Sequence, residues 1–174
     1  MDSDFYACIC EGAAEEEIMN ILLDANKLKF SREQLLEEKI IRCRMARNFQ
    51  KRYLGKGFKK SLTILRILDS PNEKFKLDKA YKDKVNVIDV ITSPEIEMLI
   101  IINEDKYTDF QKYKSKLKPS EYCIEKLGLQ NVKNKKFIRE YFSDVELLVK
   151  AIKKHKSLHK QIKDKKCLAD LLNE

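Results

Sequence analysis

The chain predicts a mixed α/β fold: a sheet of mostly parallel strands flanked by helices, with a helical, basic C-terminal part. Three observations carry that prediction. Short β-rich runs alternate with helix-patterned stretches up to about residue 105, helical patterns follow one another from there on, and the first two strands each end in an acidic residue at a turn. Alternation of this kind favours parallel strands joined by helical crossovers. Residues 1–105 therefore read as the α/β core, and residues 106–174 as a helical part packed on the same domain.

The first strand is Phe5-Tyr6-Ala7-Cys8-Ile9-Cys10, which stops abruptly at Glu11-Gly12. Gly12 permits a tight turn, and Ala13 and Ala14 let the next helix lie close to the sheet. That helix is expected over Glu15 to Leu28, with Ile18, Ile21, Leu22 and Ala25 at helical spacing. Ser31 with Gln34 three residues on predicts a capped second helical stretch through Leu36. Residues 39–53 read either as a strand leading into a helix or as one basic helix, and Gly55 and Gly57 mark a loop. Leu62 to Leu68 is a second strand ending in Asp69, and Val85 to Ile91 a third. Pro94 fits the first turn of a helix carrying Glu95 and Glu97 ahead of an apolar run from Met98. Helices are then expected at about 107–117, 119–127, 134–142 and 144–157, with Gly128 as a C-cap. Phe137, Tyr141, Phe142, Leu147 and Leu148 on the later helices are expected in the core rather than on a docking face.

At 174 residues and 43% hydrophobic composition the chain can bury a proper core. No apolar run reaches the ~20 residues that span a bilayer, and the acidic start (Asp2, Asp4) is unlike a signal peptide, so a cytoplasmic protein is expected. Five cysteines are an odd number, and Cys8 and Cys10 point to one face of their strand, which suggests reduced, buried thiols. Cys43, Cys123 and Cys167 stand alone, so zinc spacing is absent. His155 and His159 share a helix face but sit among lysines, which disfavours a cation there. The charge is divided unevenly: residues 1–105 net −1, residues 106–174 net +9. Such asymmetry suits a surface that docks a polyanion, nucleic acid above all, although lysine-rich helices also occur simply as soluble faces. Lys106, Lys112, Lys114, Lys116 and Lys118 lie among Tyr107, Tyr113 and Tyr122, as a single-strand stacking surface requires.

Glu11, Asp69 and Glu97 would meet if the first two strands are parallel neighbours and the next helix starts at the same edge. Carboxylates at the C-terminal ends of parallel strands are where such sheets place their chemistry, and hard oxygen ligands hold Mg²⁺ or Mn²⁺. Such an ion activates water for phosphodiester cleavage without a protein nucleophile. No nucleophile elbow, phosphate-binding loop or dinucleotide motif is present. Each acid also has a plainer reading, as a turn or surface helix residue.

The run Cys8-Ile9-Cys10-Glu11-Gly12 with Glu16 resembles the opening Toprim motif, a hydrophobic strand, Glu-Gly and a second acid one helical turn later. Leu65-Arg66-Ile67-Leu68-Asp69 is similar to the strand that carries the Toprim aspartate. Among Toprim proteins the nearest resemblance is to the RloB and abortive-infection type of bacterial antiphage systems. There a Ser-Asn-Pro-x-x-Glu segment precedes an apolar helix, and Thr92-Ser93-Pro94-Glu95-Ile96-Glu97 resembles it, with Glu97 on the family's Glu. The resemblance covers about residues 5 to 105. It implies a Toprim-like fold and a metal-dependent nuclease, with Glu11 as metal ligand or general acid/base, Asp69 as metal ligand and Glu97 as supporting ligand. Glu16 is a weaker candidate, since Glu15 and Glu17 flank it. The family's Asp-x-Asp is replaced by Asp69-Ser70-Pro71; either Glu73 substitutes in space or the site holds one metal rather than two.

The resemblance implies an antiphage setting in which a separate ATPase partner restrains or activates the nuclease; no ATPase motif occurs on this chain, so any such control is expected from another protein. The alternative expectation is a non-catalytic, Toprim-derived module that binds nucleic acid or a protein.

Overall fold

In the computed structural model, which describes residues 5–55, 61–158 and 162–173, three strands form one sheet in the order β1-β2-β3, with every pair parallel. The strands are β1 (Phe5–Cys10), β2 (Leu62–Leu68) and β3 (Val85–Ile91). β2 lies in the middle and all seven of its residues are buried, as expected where a parallel strand is covered on both faces. The helices are α1 (Ala13–Asp24), α2 (Ala46–Phe49), α3 (Lys79–Lys82), α4 (Met98–Asn103), α5 (Tyr107–Phe110), α6 (Pro119–Leu127), α7 (Lys135–Tyr141) and α8 (Val145–Leu158). No helix among the described residues is long and apolar enough to cross a membrane.

The pleat divides the sheet into two unequal faces. Tyr6, Cys8, Cys10, Leu65, Ile67 and Val90 pack with Ile18 and Leu22 of α1, Ile100 of α4, Tyr122 of α6 and Leu148 of α8 in the larger core. Phe142 joins this core at 1% exposure, Phe137 and Tyr141 are partly buried against it, and Leu147 is exposed. Ala7, Ile9, Leu62, Ile64 and Val85 form the smaller one with Phe49 and Leu54. Each fully buried aliphatic side chain contributes ~1.5–3 kcal/mol, so the larger face dominates the fold's stability. Cys8 and Cys10 are free, buried thiols on that face, as the alternation requires.

Both sheet edges are partly covered by irregular chain. Along β1, Ile41 donates its N–H to the Cys8 carbonyl at 2.8 Å, and Cys10 donates to the Ile41 carbonyl at 3.0 Å. This settles residues 39–53: an edge-covering segment, then α2, then a π turn over Gln50–Leu54. Along β3, the C-terminal chain adds a bridge at Lys166, which accepts from Ile91 N–H at 2.7 Å and donates to the Asp89 carbonyl at 3.0 Å.

Several expected boundaries shift. The Ser31 segment is only two 3-10 turns, Arg32–Gln34 and Leu36–Glu38, although the Gln34 side chain does accept from the Ser31 N–H at 3.0 Å. Leu35 breaks the helix because it is in extended conformation and bridges to Tyr6. Pro94 does not open α4; it lies in a turn after a cis Ser93-Pro94 bond, and Glu97 caps the helix instead. The helix expected at 107–117 ends at Phe110 and continues as turns. α6 matches its expected span, with Pro119 in its first turn and Gly128 at φ +69°, the left-handed conformation that favours glycine. Gly57 and His159 lie outside the described residues.

The helical half docks by charge as well as by packing. Lys135 pairs with Glu16, Arg139 with Glu17 and Asp24, and Lys133 with Glu95. Part of the uneven charge distribution is therefore internal complementarity. The −1 half supplies the carboxylates and the +9 half the cations that close on them.

Candidate functional site

Glu11 and Asp69 leave the C-terminal ends of β1 and β2, whose parallel register places Cys10 beside Ile67. Both acids therefore stand at one edge of the sheet, as the sequence predicts. Asp69 is held by the Thr92 hydroxyl, which donates at 3.2 Å to Asp69 Oδ1. Glu11 lies against Arg44, whose Nε is 3.3 Å from Glu11 Oε1, and Arg42 donates to the Glu11 backbone carbonyl at 2.9 Å.

Glu73 comes to Glu11 rather than to Asp69. The two carboxyl groups share a hydrogen bond, and Arg44 holds Glu73 at 2.6 Å. Buried Arg66 anchors the same loop, 3.8 Å from Glu73 and 2.9 Å from Asp89, with its guanidinium over the Phe75 ring at 4.8 Å. Burial raises the Glu11 pKa to about 7, with the Glu73 hydrogen bond and charge adding to the shift against the opposing Arg44. Burial also raises Glu73, but its bonds to Glu11 and Arg44 outweigh burial and leave it below the usual glutamate value. The 2.6 Å contact with Arg44 favours the ionised form of Glu73, and burial favours the protonated form of Glu11.

The acid that joins Asp69 from α1 is Glu15, not Glu16. Glu15 is buried, and its carboxyl hydrogen-bonds that of Asp69. Burial raises both groups, Glu15 further because of the Asp69 charge and Asp69 further because of Glu95. Glu16 instead turns to Lys135 on α7. The strand-to-helix turn explains the difference. Gly12 has extended backbone at φ −105°, which any residue adopts, yet a Cβ placed there would lie 2.2 Å from Glu15 Oε2. A side chain at this position would push the Glu15 carboxylate, which folds back over Gly12, off its place.

Glu97 sits further inside at 3% exposure, and burial raises its pKa to about 7, with Lys133 opposing and Glu95 and Glu15 adding to the rise. It faces Glu15 electrostatically rather than joining Glu11 directly. Glu95 accepts from the Ser120 N–H at 3.0 Å and from Lys133 at 3.1 Å, which outweigh its burial and keep it ionised. Lys133, from the loop before α7, is the cation that the charges of Glu97, Glu95 and Asp69 share.

The edge thus holds six carboxyl groups with Arg44 at one end and Lys133 at the other. The carboxyls meet in two pairs. Among the described residues no group of three His, Cys, Asp or Glu converges as a metal-ligand set. One oxygen of Glu11, Oε1, is buried with no hydrogen-bond partner.

A cleft of about 880 Å³ opens beside this edge, lined by Asp69 and Glu95 and by Tyr107, Lys114, Lys116 and Lys118. Three of the five lysines singled out from sequence therefore line the same cavity as Asp69 and Glu95, whereas Glu11, Glu15, Glu73 and Glu97 are not part of its lining. Lys106 is exposed outside it, and Lys112 pairs with Asp109 at 3.1 Å. The tyrosines separate: Tyr107 lines the cleft, Tyr113 packs on Tyr122 with Lys126 over its ring at 4.9 Å, and Tyr122 is 1% exposed with its hydroxyl donating to Asp109 at 2.7 Å. Tyr122 is a core residue and offers no stacking face. The sequence reading missed Glu15, Lys133 and Arg44. Comparison with family models, curated proteins and solved structures finds no match for this chain.

Proposed function

We propose that this protein is a Toprim-like, metal-dependent nuclease, with the acidic edge as its catalytic site and the lysine-lined cleft as its nucleic-acid channel. The observation that carries this reading is the junction of the two surfaces: Asp69 and Glu95 share one cavity with Lys114, Lys116 and Lys118. A phosphodiester held by those lysines would lie beside carboxylates at the C-terminal edge of a parallel sheet.

The donor type suits Mg²⁺ or Mn²⁺, since all candidate donors are carboxylate oxygens and Glu11 Oε1 is buried with no hydrogen-bond partner beyond its ion pair with Arg44; among the described residues no three of them converge, so a bound ion would have to draw them together. Glu11 and Asp69 would hold the ion, with Glu73 and Glu97 in support and Glu15 as the acid that pairs with Asp69. When bound, the ion would polarise the phosphate and lower the pKa of a water. The chain's own groups do the rest. Lys114, Lys116 and Lys118 bind and orient the strand, Thr92 and Glu15 fix the Asp69 carboxylate, and the raised carboxyl of Glu11 can take or give a proton near neutral pH. Control by a separate ATPase in antiphage defence belongs to this proposal, on the strength of the sequence resemblance alone.

A second reading, a non-catalytic binding module, draws on the carboxyl–carboxylate pairs and on Arg44 and Lys133, which already balance part of the acidic charge. Incubating labelled RNA, single-stranded DNA and duplex DNA with Mg²⁺, Mn²⁺ or EDTA separates the two. Metal-dependent cleavage of any substrate is the expected result, and binding without cleavage under all conditions supports the module.

A further inference from the structure

The far edge of the sheet carries a second constellation, remote in sequence from the acidic site. Backbone groups of even-numbered β3 residues face β2, as the Thr92 N–H to Leu68 carbonyl bond shows, while Asp89 and Ile91 face outward to Lys166. By the same parity the N–H and carbonyl of Val87 and the carbonyl of Val85 point to the outer edge, beyond the reach of the Lys166 bridge, and among the described residues no backbone bond occupies them. A groove of about 600 Å³ runs there, lined by Phe75, Leu77, Val85 and Val87 with Lys76, Lys79 and Lys82. Asn86 lines it too. Val85 and Val87 belong to the smaller face, and Ile88 packs on the larger, so Asn86 belongs to the larger face as well. A groove that touches residues of both faces follows the strand's edge. The three lysines are exposed, and none has a carboxylate within ion-pair distance among the described residues.

We propose that this groove docks an extended, acidic peptide segment of a partner protein, which adds to β3 as a further strand. Open edge groups call for a partner with N–H and C=O at strand spacing, the apolar walls take alternate side chains, and the lysines select acidic ones. Nucleic acid would satisfy the lysines but leave the Val87 backbone unpaired. A second copy paired edge to edge would set these lysines against their own equivalents, which like-charge repulsion opposes.

The test uses the full chain and a fluorescein-labelled octapeptide alternating Glu or Asp with Val. The same peptide with Lys for each acid and a single-stranded oligonucleotide serve as competitors. Anisotropy should show binding of the acidic peptide, weakened at least ~10-fold in Lys76→Glu/Lys79→Glu/Lys82→Glu. Circular dichroism should show that variant to be folded, since all three positions are exposed. Hydrogen exchange by NMR should show the Val87 amide slowed when the peptide is bound. Absence of binding, binding that leaves Val87 exchange unchanged, or equal binding of the lysine peptide would overturn the proposal and leave the lysines as guards of an edge kept free. Displacement of the acidic peptide by the oligonucleotide would assign the groove to nucleic acid instead.

Discussion

Replacing Glu97 by Gln should make the protein more stable above neutral pH while leaving it unchanged in acid. Glu97 is 3% exposed and burial raises its pKa from the usual 4.5 to about 7. A carboxyl raised in this way favours the folded state fully below about pH 4.5, where it is protonated folded and unfolded alike. That contribution is lost as pH rises from there through about 7, because the folded state must then ionise a buried group. At ~1.4 kcal/mol per pH unit, the span from 4.5 to 7 amounts to about 3 kcal/mol. Gln keeps the shape and cannot ionise. Urea unfolding of wild type and Glu97→Gln across pH 4 to 8 should therefore give curves that coincide at the acid end and separate by about 3 kcal/mol at pH 8, with Tm higher by roughly 6–12 °C for a chain of this size. Two curves running parallel over the whole range would refute the argument, since Glu97 would then titrate alike folded and unfolded.

Other expectations rest on different parts of the site. Gly12→Ala is compatible with the backbone at φ −105° but drives the Glu15 carboxylate off its place; the chain should fold while any nuclease activity falls at least ~10-fold, and unchanged activity would detach Glu15 from the chemistry. Neutralising Lys114, Lys116 and Lys118 together should lower the slope of log affinity against log salt by ~2, at ~0.7–0.9 per phosphate contact. An unchanged slope would move the nucleic-acid path out of the cleft. Tyr107→Ala should weaken single-strand binding at least ~5-fold if the ring stacks on a base, and an unaltered Kd would limit Tyr107 to lining the cavity.

The strands were legible because each is a short run with its own boundary signals: β2 and β3 end at Asp69 and Thr92, and β1 stops at Glu11-Gly12. α6 was legible for the same reason, framed by Pro119 and Gly128. What sequence could not display was tertiary. Ile41 and Lys166 cover part of the sheet's edges through isolated bridges that leave no periodic pattern. Glu15 was hidden among three consecutive glutamates, and only the close approach over Gly12 separates it from Glu16. Tyr122 looked like surface because lysines surround it along the chain, yet Pro119, Tyr122 and Cys123 are buried at i, i+3 and i+4, a spacing that marks the inward face of α6. Glu11 and Asp69 were found because a carboxylate following a buried strand has only the sheet's edge to occupy.

The most direct test of the acidic edge is to measure cleavage and binding in parallel for wild type, Glu11→Gln and Asp69→Asn, using the best substrate with Mg²⁺ or Mn²⁺. Both replacements keep side-chain size and remove the charge that would hold the ion. The account predicts that cleavage falls at least ~100-fold in each while affinity, set by the lysines, changes by no more than a few-fold. Cleavage at wild-type rate in either folded variant would contradict it.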